Sequence, residues 1–275
     1  MPIVHLANAS IRYDVLGRGD PTVMIPGSLA DRSSWERVRA GLAPSLRILV
    51  YDRRGYGEST GPLRTHPVED DAADLAQLLE EVDLFPVHVV AHSYGVAVAL
   101  RLTAERPEMV RSLDLHEPPF IRLLEDDLAT APEAERLWAD AKAMQTLVRA
   151  GDVEAAARQL ADALSVEGGT WDRLRPEVRE RVLGYMPRWA EELDDPEATR
   201  PDTGVLADLL IPVLLTTGER SPPFMHRIVD RLAEHLRNAT VRTLPGVGHV
   251  PHLSDPDLFI ATVQSFLVER NVPRT

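Results

Sequence analysis

The sequence contains no cysteine among its 275 residues. This absence excludes disulfide bonds, thiolate metal sites and a cysteine nucleophile. Positive charge is also scarce, because 30 Lys and Arg stand against 43 Asp and Glu, which gives a formal net charge of -13. Such a surface repels phosphate backbones and anionic lipids. We therefore expect neither nucleic acid nor a membrane as a partner.

Long apolar runs are missing as well. No uninterrupted apolar stretch is long enough to span a bilayer, and residues 1–15 lack the basic region and apolar core of a secretory leader. These absences predict a cytoplasmic protein. Hydrophobic residues nevertheless make up 44% of the chain, which is enough for one large catalytic unit. We expect a monomer or a homodimer.

Short β-type runs alternate with helical patterns through most of the chain. The runs lie at residues 11–15, 23–25, 47–51, 87–90, 113–115, 212–217 and 240–244. This alternation is typical of an α/β fold, a parallel sheet with helices on both faces. The segment 118–204 has no strand signal and is rich in Ala, Glu, Leu and Arg. It predicts a helical cap inserted into a core made of residues 1–117 and 205–275.

The best candidate nucleophile is Ser93. Residues 89–97 run from a strand through a tight turn into an apolar helix, and Ser93 lies at the apex of the turn. Ala91 and Gly95 supply the small neighbours that a strained nucleophile elbow requires, although alanine replaces the usual first glycine of G-x-S-x-G. The alternative is a serine that only caps the helix. The position between a strand and a buried helix favours the nucleophile.

Four segments in order resemble landmarks of the α/β-hydrolase superfamily, within residues 20–117 and 205–270. They are Pro26-Gly27-Ser28, Asp52 to Ser59, the elbow, and Gly246-Val247-Gly248-His249. The resemblance implies an α/β-hydrolase fold: a mostly parallel eight-stranded sheet flanked by helices, with a helical cap after strand 6. It also implies serine hydrolase chemistry without a metal or organic cofactor. On this resemblance the segment Asp52 to Ser59 is a structural turn and supplies no catalyst.

A serine nucleophile needs a histidine base and a carboxylate partner. His249 is the candidate base because it lies in a glycine-rich loop after the last predicted strand, and His252 is the alternative. The usual family acid follows strand 7, but Ser221 occupies that place and cannot hold an imidazolium. Glu117, before two prolines at the end of strand 6, fits the alternative family position seen in some haloalkane dehalogenases and in zearalenone lactonases. We prefer Glu117 to Glu219.

An oxyanion hole needs two N–H donors. The resemblance assigns them to the backbones of Ser28 and Tyr94, and proline replaces the histidine that many relatives carry before the glycine. Zearalenone lactonases resemble this chain at that proline and at the cap residue Trp189. Other candidate substrate-binding residues are Leu29, Pro118, Met186, Phe224 and Val250. A cap aromatic can instead belong to the cap's own core.

The combined prediction is hydrolysis of an apolar carboxylic ester or lactone through an acyl-enzyme on Ser93. A macrocyclic or aromatic lactone is the sharper version. Three further reactions can use the same triad: C–C bond hydrolysis, cofactor-free lyase chemistry and perhydrolysis. A non-hydrolytic small-molecule receptor is the alternative from a different class.

Overall fold

The structure is a computed structural model that describes residues 2–62 and 67–271. Eight strands form one sheet in the order β1-β2-β4-β3-β5-β6-β7-β8. The strands are β1 Ile3–His5, β2 Ser10–Leu16, β3 Asp20–Ile25, β4 Leu46–Tyr51, β5 Val87–His92, β6 Val110–His116, β7 Val213–Gly218 and β8 Ala239–Leu244. The pairs β1/β2 and β2/β4 are antiparallel and all other pairs are parallel.

Helices connect these strands and form the cap. They are α1 Glu36–Leu42, α2 Pro67–Glu81, α3 Tyr94–Glu105, α4 Ala131–Arg149, α5 Val153–Ala163, α6 Thr170–Arg173, α7 Pro176–Glu192, α8 Thr203–Leu206, α9 Pro223–Glu234, α10 Pro251–Ser254 and α11 Pro256–Asn271. None of the helices in the described ranges is long and apolar enough to cross a membrane.

The sheet carries a hydrophobic core on each face. One core cluster joins the sheet to α2, α3 and α9, and the other joins it to α1 and α11. Strands such as β7, which is buried along its whole length, are what a parallel sheet covered on both faces requires. The predicted α/β-hydrolase fold with a mostly parallel eight-stranded sheet is confirmed.

The segment between β6 and β7 forms a third hydrophobic cluster. Buried residues of α4, α5, α6 and α7 make up this cluster, with Trp171 and Met186 among the most enclosed. Leu29 of the core packs against the same cluster, so the cap rests on the loop that follows β3. That contact places cap helices above the carboxyl ends of the central strands, where ligands bind in open α/β sheets.

Candidate active site

Ser93 lies at a sharp turn between β5 and α3. Its backbone has φ 51° and ψ -122°, a conformation that a residue with a side chain adopts only when the surroundings enforce it. The Ser93 N–H donates to the carbonyl of His116 at 2.9 Å, which ties the turn to the end of β6. A Cβ at Gly95 would lie 2.6 Å from the carbonyl oxygen of Ile25, so only glycine allows this close approach of α3 to β3.

Glu117 and His249 meet at the carboxyl edge of the sheet. The distance from His249 Nδ1 to Glu117 Oε2 is 2.7 Å. The other carboxylate oxygen of Glu117 accepts from Thr217 Oγ1 at 2.9 Å and from the N–H of Gly218 at 2.8 Å. The carboxylate therefore has a fixed orientation, and Nε2 is the ring nitrogen of His249 left to act toward Ser93.

The environment of Glu117 favours its charged form. Burial alone would raise the pKa of this carboxyl, but the hydrogen bond from His249 and the nearby His116 ring outweigh burial and hold the pKa well below its usual range. Glu117 has φ 45° and is fully buried. A carboxylate that stays ionised in a dry pocket can stabilise the imidazolium that forms when His249 accepts a proton.

Glu219 and Ser221 have different surroundings from Glu117. Glu219 is exposed, and its carboxylate accepts from the N–H of Gly246 at 2.7 Å. It therefore fixes the start of the loop that carries His249 but does not contact the imidazole through this bond. Ser221 is buried near Glu117, and it adds to the lowering of that residue's pKa. The geometry thus brings Glu117 to His249.

Three more histidines surround His249. His92, next to Ser93, donates from Nε2 to the backbone carbonyl of His249 at 2.7 Å, which brings the elbow and the histidine loop together. His252 instead packs against the Trp35 ring at an interplanar angle of 32°, with ring centroids 4.5 Å apart. His116 Nδ1 pairs with Thr216 Oγ1 at 2.9 Å. Within the described ranges, no hydrogen bond joins the Ser93 hydroxyl to His249; such bonds are often long before substrate binds.

The two candidate oxyanion donors flank Ser93. Tyr94 is the first residue of α3, where N–H groups have no partner inside the helix. A Cβ at Gly27 would lie 3.0 Å from Ser93 Cβ, so the loop before Ser28 touches the elbow. In the part of the chain that the structure describes, neither the Ser28 nor the Tyr94 backbone N–H donates to a protein acceptor. Both donors are thus available for a ligand oxygen.

The six candidate substrate-binding residues fall into separate groups. Leu29, Met186 and Trp189 belong to the cap cluster. Met186 is fully buried there and Trp189 is 7% exposed, so both now pack within the cap's own core. Phe224 packs against the larger core, Pro118 is buried after Glu117, and Val250 is exposed beside His249.

Four buried charged residues near the elbow were not predicted from the sequence. We call Arg53, Asp71, Arg188 and Glu192 the four-charge cluster; each is at most 4% exposed. Arg53 Nη1 lies 2.7 Å from Asp71 Oδ2 and 2.8 Å from Glu192 Oε1, and Arg188 Nη2 lies 3.6 Å from Asp71 Oδ2. Of these four residues, only Arg53 lies in a sequence landmark, as the residue after Asp52 in the Asp52 to Ser59 turn.

A metal site is not found among the described residues. They contain no group of three or more His, Asp or Glu side chains arranged to hold a metal ion. The arrangement of Ser93, His249 and Glu117 can instead support a nucleophile, a base and an orienting carboxylate.

This fold and this arrangement define a hydrolase of the α/β class. The model of the alpha/beta hydrolase family matches residues 22–262, and the chain belongs to that family. The chain is 26% identical to a provisionally named non-heme chloroperoxidase of Synechocystis sp. over 281 aligned residues, and the alignment covers 95% of this chain and 96% of that protein. It is 28% identical to the provisionally named carbamate hydrolase RutD of Azorhizobium caulinodans over 115 residues. That alignment covers 42% of this chain and only 43% of that relative.

Solved structures show the same fold at low identity. A thermophilic esterase from Thermogutta terrifontis superposes with a TM-score of 0.78 at 22% identity, over 99% of this chain and 100% of that one. The enol-lactonase from Burkholderia xenovorans LB400 gives a TM-score of 0.77 at 18% identity, over 97% of this chain and 100% of that one.

Proposed function

We propose that the chain is a serine hydrolase that cleaves a carboxylic ester or lactone through an acyl-enzyme on Ser93. The observation that carries this proposal is the 2.7 Å contact between His249 Nδ1 and the buried carboxylate of Glu117, beside a serine held in a strained elbow. Hydrolase family membership supports the general reaction type.

The first half-reaction forms the acyl-enzyme. His249 Nε2 takes the proton of Ser93 as Oγ attacks the carbonyl carbon. The N–H groups of Ser28 and Tyr94 donate hydrogen bonds to the oxyanion that forms. Glu117 stabilises the imidazolium. When the tetrahedral intermediate collapses, His249 returns the proton to the leaving alcohol oxygen; in a lactone that alcohol stays attached to the acyl group.

The second half-reaction releases the acid. His249 removes a proton from water, the resulting hydroxide attacks the acyl carbonyl, and the same two N–H donors stabilise the second tetrahedral intermediate. Collapse breaks the bond to Ser93 Oγ, which regains its proton from His249. No cofactor enters either step.

A fluorophosphonate probe tests the nucleophile. The wild-type protein should be labelled on the peptide that contains Ser93, and Ser93→Ala should not be labelled. The same two proteins are then assayed with p-nitrophenyl esters of increasing acyl length and with a panel of lactones. Labelling elsewhere, or equal ester turnover by Ser93→Ala, would refute the proposal.

The finer proposal is a lactone of apolar character, in the branch that resembles zearalenone lactonases. The resemblance at Pro26, Glu117 and Trp189 supports it, and Trp189 belongs to the apolar cap cluster that packs against Leu29. Macrocyclic lactones should then have a kcat/KM at least tenfold above that of linear esters of the same acyl length. Equal kcat/KM values for the two kinds of substrate would contradict the lactone proposal and indicate a general esterase.

Perhydrolysis is a second candidate, favoured by the similarity to a provisionally named chloroperoxidase over 95% of the chain. In this reaction hydrogen peroxide replaces water and attacks the acyl-enzyme, which yields a peracid and free Ser93. Incubation with a short-chain carboxylic ester and hydrogen peroxide should then form peracid with wild type and not with Ser93→Ala.

A further inference from the structure

The loop that offers the Ser28 donor is bonded directly to the cap. The Ser28 hydroxyl donates to Glu192 Oε2, and Glu192 ends helix α7 of the cap. Leu29, the next residue, has φ 60°, so the loop turns sharply after Ser28. Glu192, 164 positions later in the chain, therefore holds Ser28, the residue whose N–H would donate a hydrogen bond to the oxyanion.

Arg53 holds the same loop from the core side. Its Nε donates to the carbonyl of Pro26 at 3.1 Å and its Nη2 to the carbonyl of Gly27 at 3.0 Å. Its Nη1 bonds both Glu192 Oε1 and Asp71 Oδ2. One guanidinium thus joins two successive loop carbonyls to the cap carboxylate, using the rigid fork that distinguishes arginine from lysine.

The second oxyanion donor contacts the same guanidinium. Arg53 lies over the ring of Tyr94, 4.3 Å from its centroid, and over the ring of Tyr56 at 4.4 Å. The Tyr56 hydroxyl donates to Glu192 Oε1 at 2.9 Å. Arg53 therefore contacts Tyr94, and Glu192 bonds Ser28, so the two residues that present N–H groups beside Ser93 are both linked to this ion pair.

Stability alone is a weak reason for this arrangement. Desolvating two arginines and two carboxylates costs about as much as their pairing returns, and apolar replacements of buried ion pairs are often as stable or more stable. Orientation is what such a cluster supplies well, because each charged group accepts only a narrow range of positions. Oxyanion donors need that precision, since they must lie within about 3 Å of the developing charge.

We propose that Glu192 and Arg53 are positioning residues for the oxyanion hole, and that Glu192 couples the docking of the cap to that hole. Glu192 acts through the Ser28 hydroxyl, and Arg53 acts through the carbonyls of Pro26 and Gly27. The proposal rests on the serine hydrolase function above. It extends the role of the Asp52 to Ser59 segment beyond a structural turn.

Ser28→Ala and Glu192→Gln test the coupling. Ser28→Ala keeps the backbone donor and removes only the hydroxyl that Glu192 holds. Loss of a whole oxyanion donor costs about 10²- to 10³-fold in kcat. Displacing a donor should lower kcat less than removing it. We therefore expect kcat to fall about 10- to 100-fold in either variant, and KM to change by less than about threefold. Both variants weaken the bond between Ser28 and Glu192, and Glu192→Gln also weakens the ion pair with Arg53. The double variant should therefore be little worse than Glu192→Gln alone.

Two variants in the same helix serve as controls. Glu180→Gln removes an exposed carboxylate of α7 and should retain wild-type kcat. Tyr185→Phe removes a different link between cap and core, because the Tyr185 hydroxyl donates to Asp31 Oδ2 and accepts from the Gly57 N–H, both at 2.9 Å. If Glu192 merely holds the cap in place, Tyr185→Phe should lower kcat as much as Ser28→Ala does.

Binding of a trifluoromethyl ketone separates positioning from stability. Ser93 adds to this ketone to give a tetrahedral oxyanion, so its inhibition constant should rise in proportion to the loss of kcat/KM in Ser28→Ala and Glu192→Gln. The pH profile of kcat/KM should keep its shape, since His249 and Glu117 are untouched. Unchanged ketone affinity and kcat in Ser28→Ala, with wild type active, would overturn this inference alone. Absence of phosphonate labelling at Ser93 in wild type would overturn both proposals.

Discussion

Glu117 is the carboxylate that contacts His249, and the surroundings of this residue explain how a glutamate after β6 can reach the imidazole. Glu117 follows β6 with φ 45° and precedes two prolines, which fix the direction of the chain. The glutamate side chain, which is one methylene longer than that of aspartate, reaches the end of β7. There it accepts hydrogen bonds from the Gly218 N–H and from Thr217 Oγ1. Ser221, which stands after β7 where the family resemblance would place the acid, is buried and carries no charge.

Neutralising Glu117 should damage catalysis far more than neutralising Glu219. Glu117→Gln keeps the shape but loses the charge that stabilises the His249 imidazolium, so we expect kcat to fall by about 10³- to 10⁴-fold. Glu219→Gln is the matched change on an exposed carboxylate that accepts a hydrogen bond from the Gly246 N–H, and kcat should fall less than about fivefold. Steady-state kinetics on one activated ester compares them. A larger loss in Glu219→Gln would assign the acid to that residue.

The acid should also be movable within the site. Glu117→Ala leaves His249 Nδ1 without its carboxylate, and Ser221→Asp places one at the position that most relatives use. We expect the double variant to recover at least about tenfold of the activity lost in Glu117→Ala, because an aspartate there can meet the same ring nitrogen. Ser221→Asp alone should lose activity, because two carboxylates would compete in one buried site. No recovery in the double variant would show that Ser221 lies outside reach of His249.

Single residues also show which parts of the site the sequence can reveal. Ser93, Glu117 and His249 could be proposed from the sequence because each follows a strand in an order typical of the fold, and the structure places all three at the same edge of the sheet. Glu192 could not be singled out, since α7 also contains Glu177, Glu180 and Glu191, and nothing local marks one of them as buried. Its pairing with Arg53 spans 139 positions, and such a contact exists only once the cap is folded onto the core.

At the level of secondary structure elements, the central strands were predictable because burial on both faces produces apolar runs. Strand β1 was missed because it has three residues, Ile3–His5, that are mostly exposed at the edge of the sheet. The cap helices were predicted as a segment but not one by one. Their apolar faces pack mainly on one another, so the sequence alone does not state which face meets the core.

The contact between the loop after β3 and the elbow should tolerate no side chain at Gly27. An alanine Cβ there would lie 2.8 Å from His92 Nδ1 and 3.0 Å from Ser93 Cβ. We expect Gly27→Ala to lower the free energy of unfolding by about 1–3 kcal/mol, because an extra methyl group in a tight contact forces a shift. We also expect kcat to fall about 10²-fold, since small displacements of a catalytic donor have that cost.

Gly184→Ala is the control for that change. Gly184 is an exposed residue inside α7, and a Cβ there would meet no atom within 4 Å. Alanine should therefore raise the free energy of unfolding by about 0.5–1 kcal/mol and leave kcat unchanged. Urea denaturation and steady-state kinetics on both variants give the comparison. A Gly27→Ala protein as active as Gly184→Ala would show that the loop and the elbow can separate without loss of function.

For the molecule as a whole, three buried histidines should make the folded state sensitive to acid. Burial lowers the pKa of His116 to about 4 and of His252 to about 3, and burial with the neighbouring rings lowers the pKa of His92 well below its ordinary value. In the unfolded chain these rings titrate near 6.5. Below that pH the unfolded state binds protons that the folded state does not, so stability falls as pH decreases from about 6.5 toward 4.

One histidine can be removed to measure its share of this acid sensitivity. Each such ring contributes a slope of about 1.4 kcal/mol per pH unit once the unfolded form is protonated. The buried carboxyl of Asp71, whose pKa burial raises, acts in the opposite direction. His252→Phe keeps an aromatic ring against Trp35 and Phe259 and loses the titration. Urea unfolding between pH 5 and 6 should show the slope reduced by about one proton in this variant, whatever its stability at pH 7. An unchanged slope would mean that His252 is protonated as readily in the folded protein as in the unfolded chain.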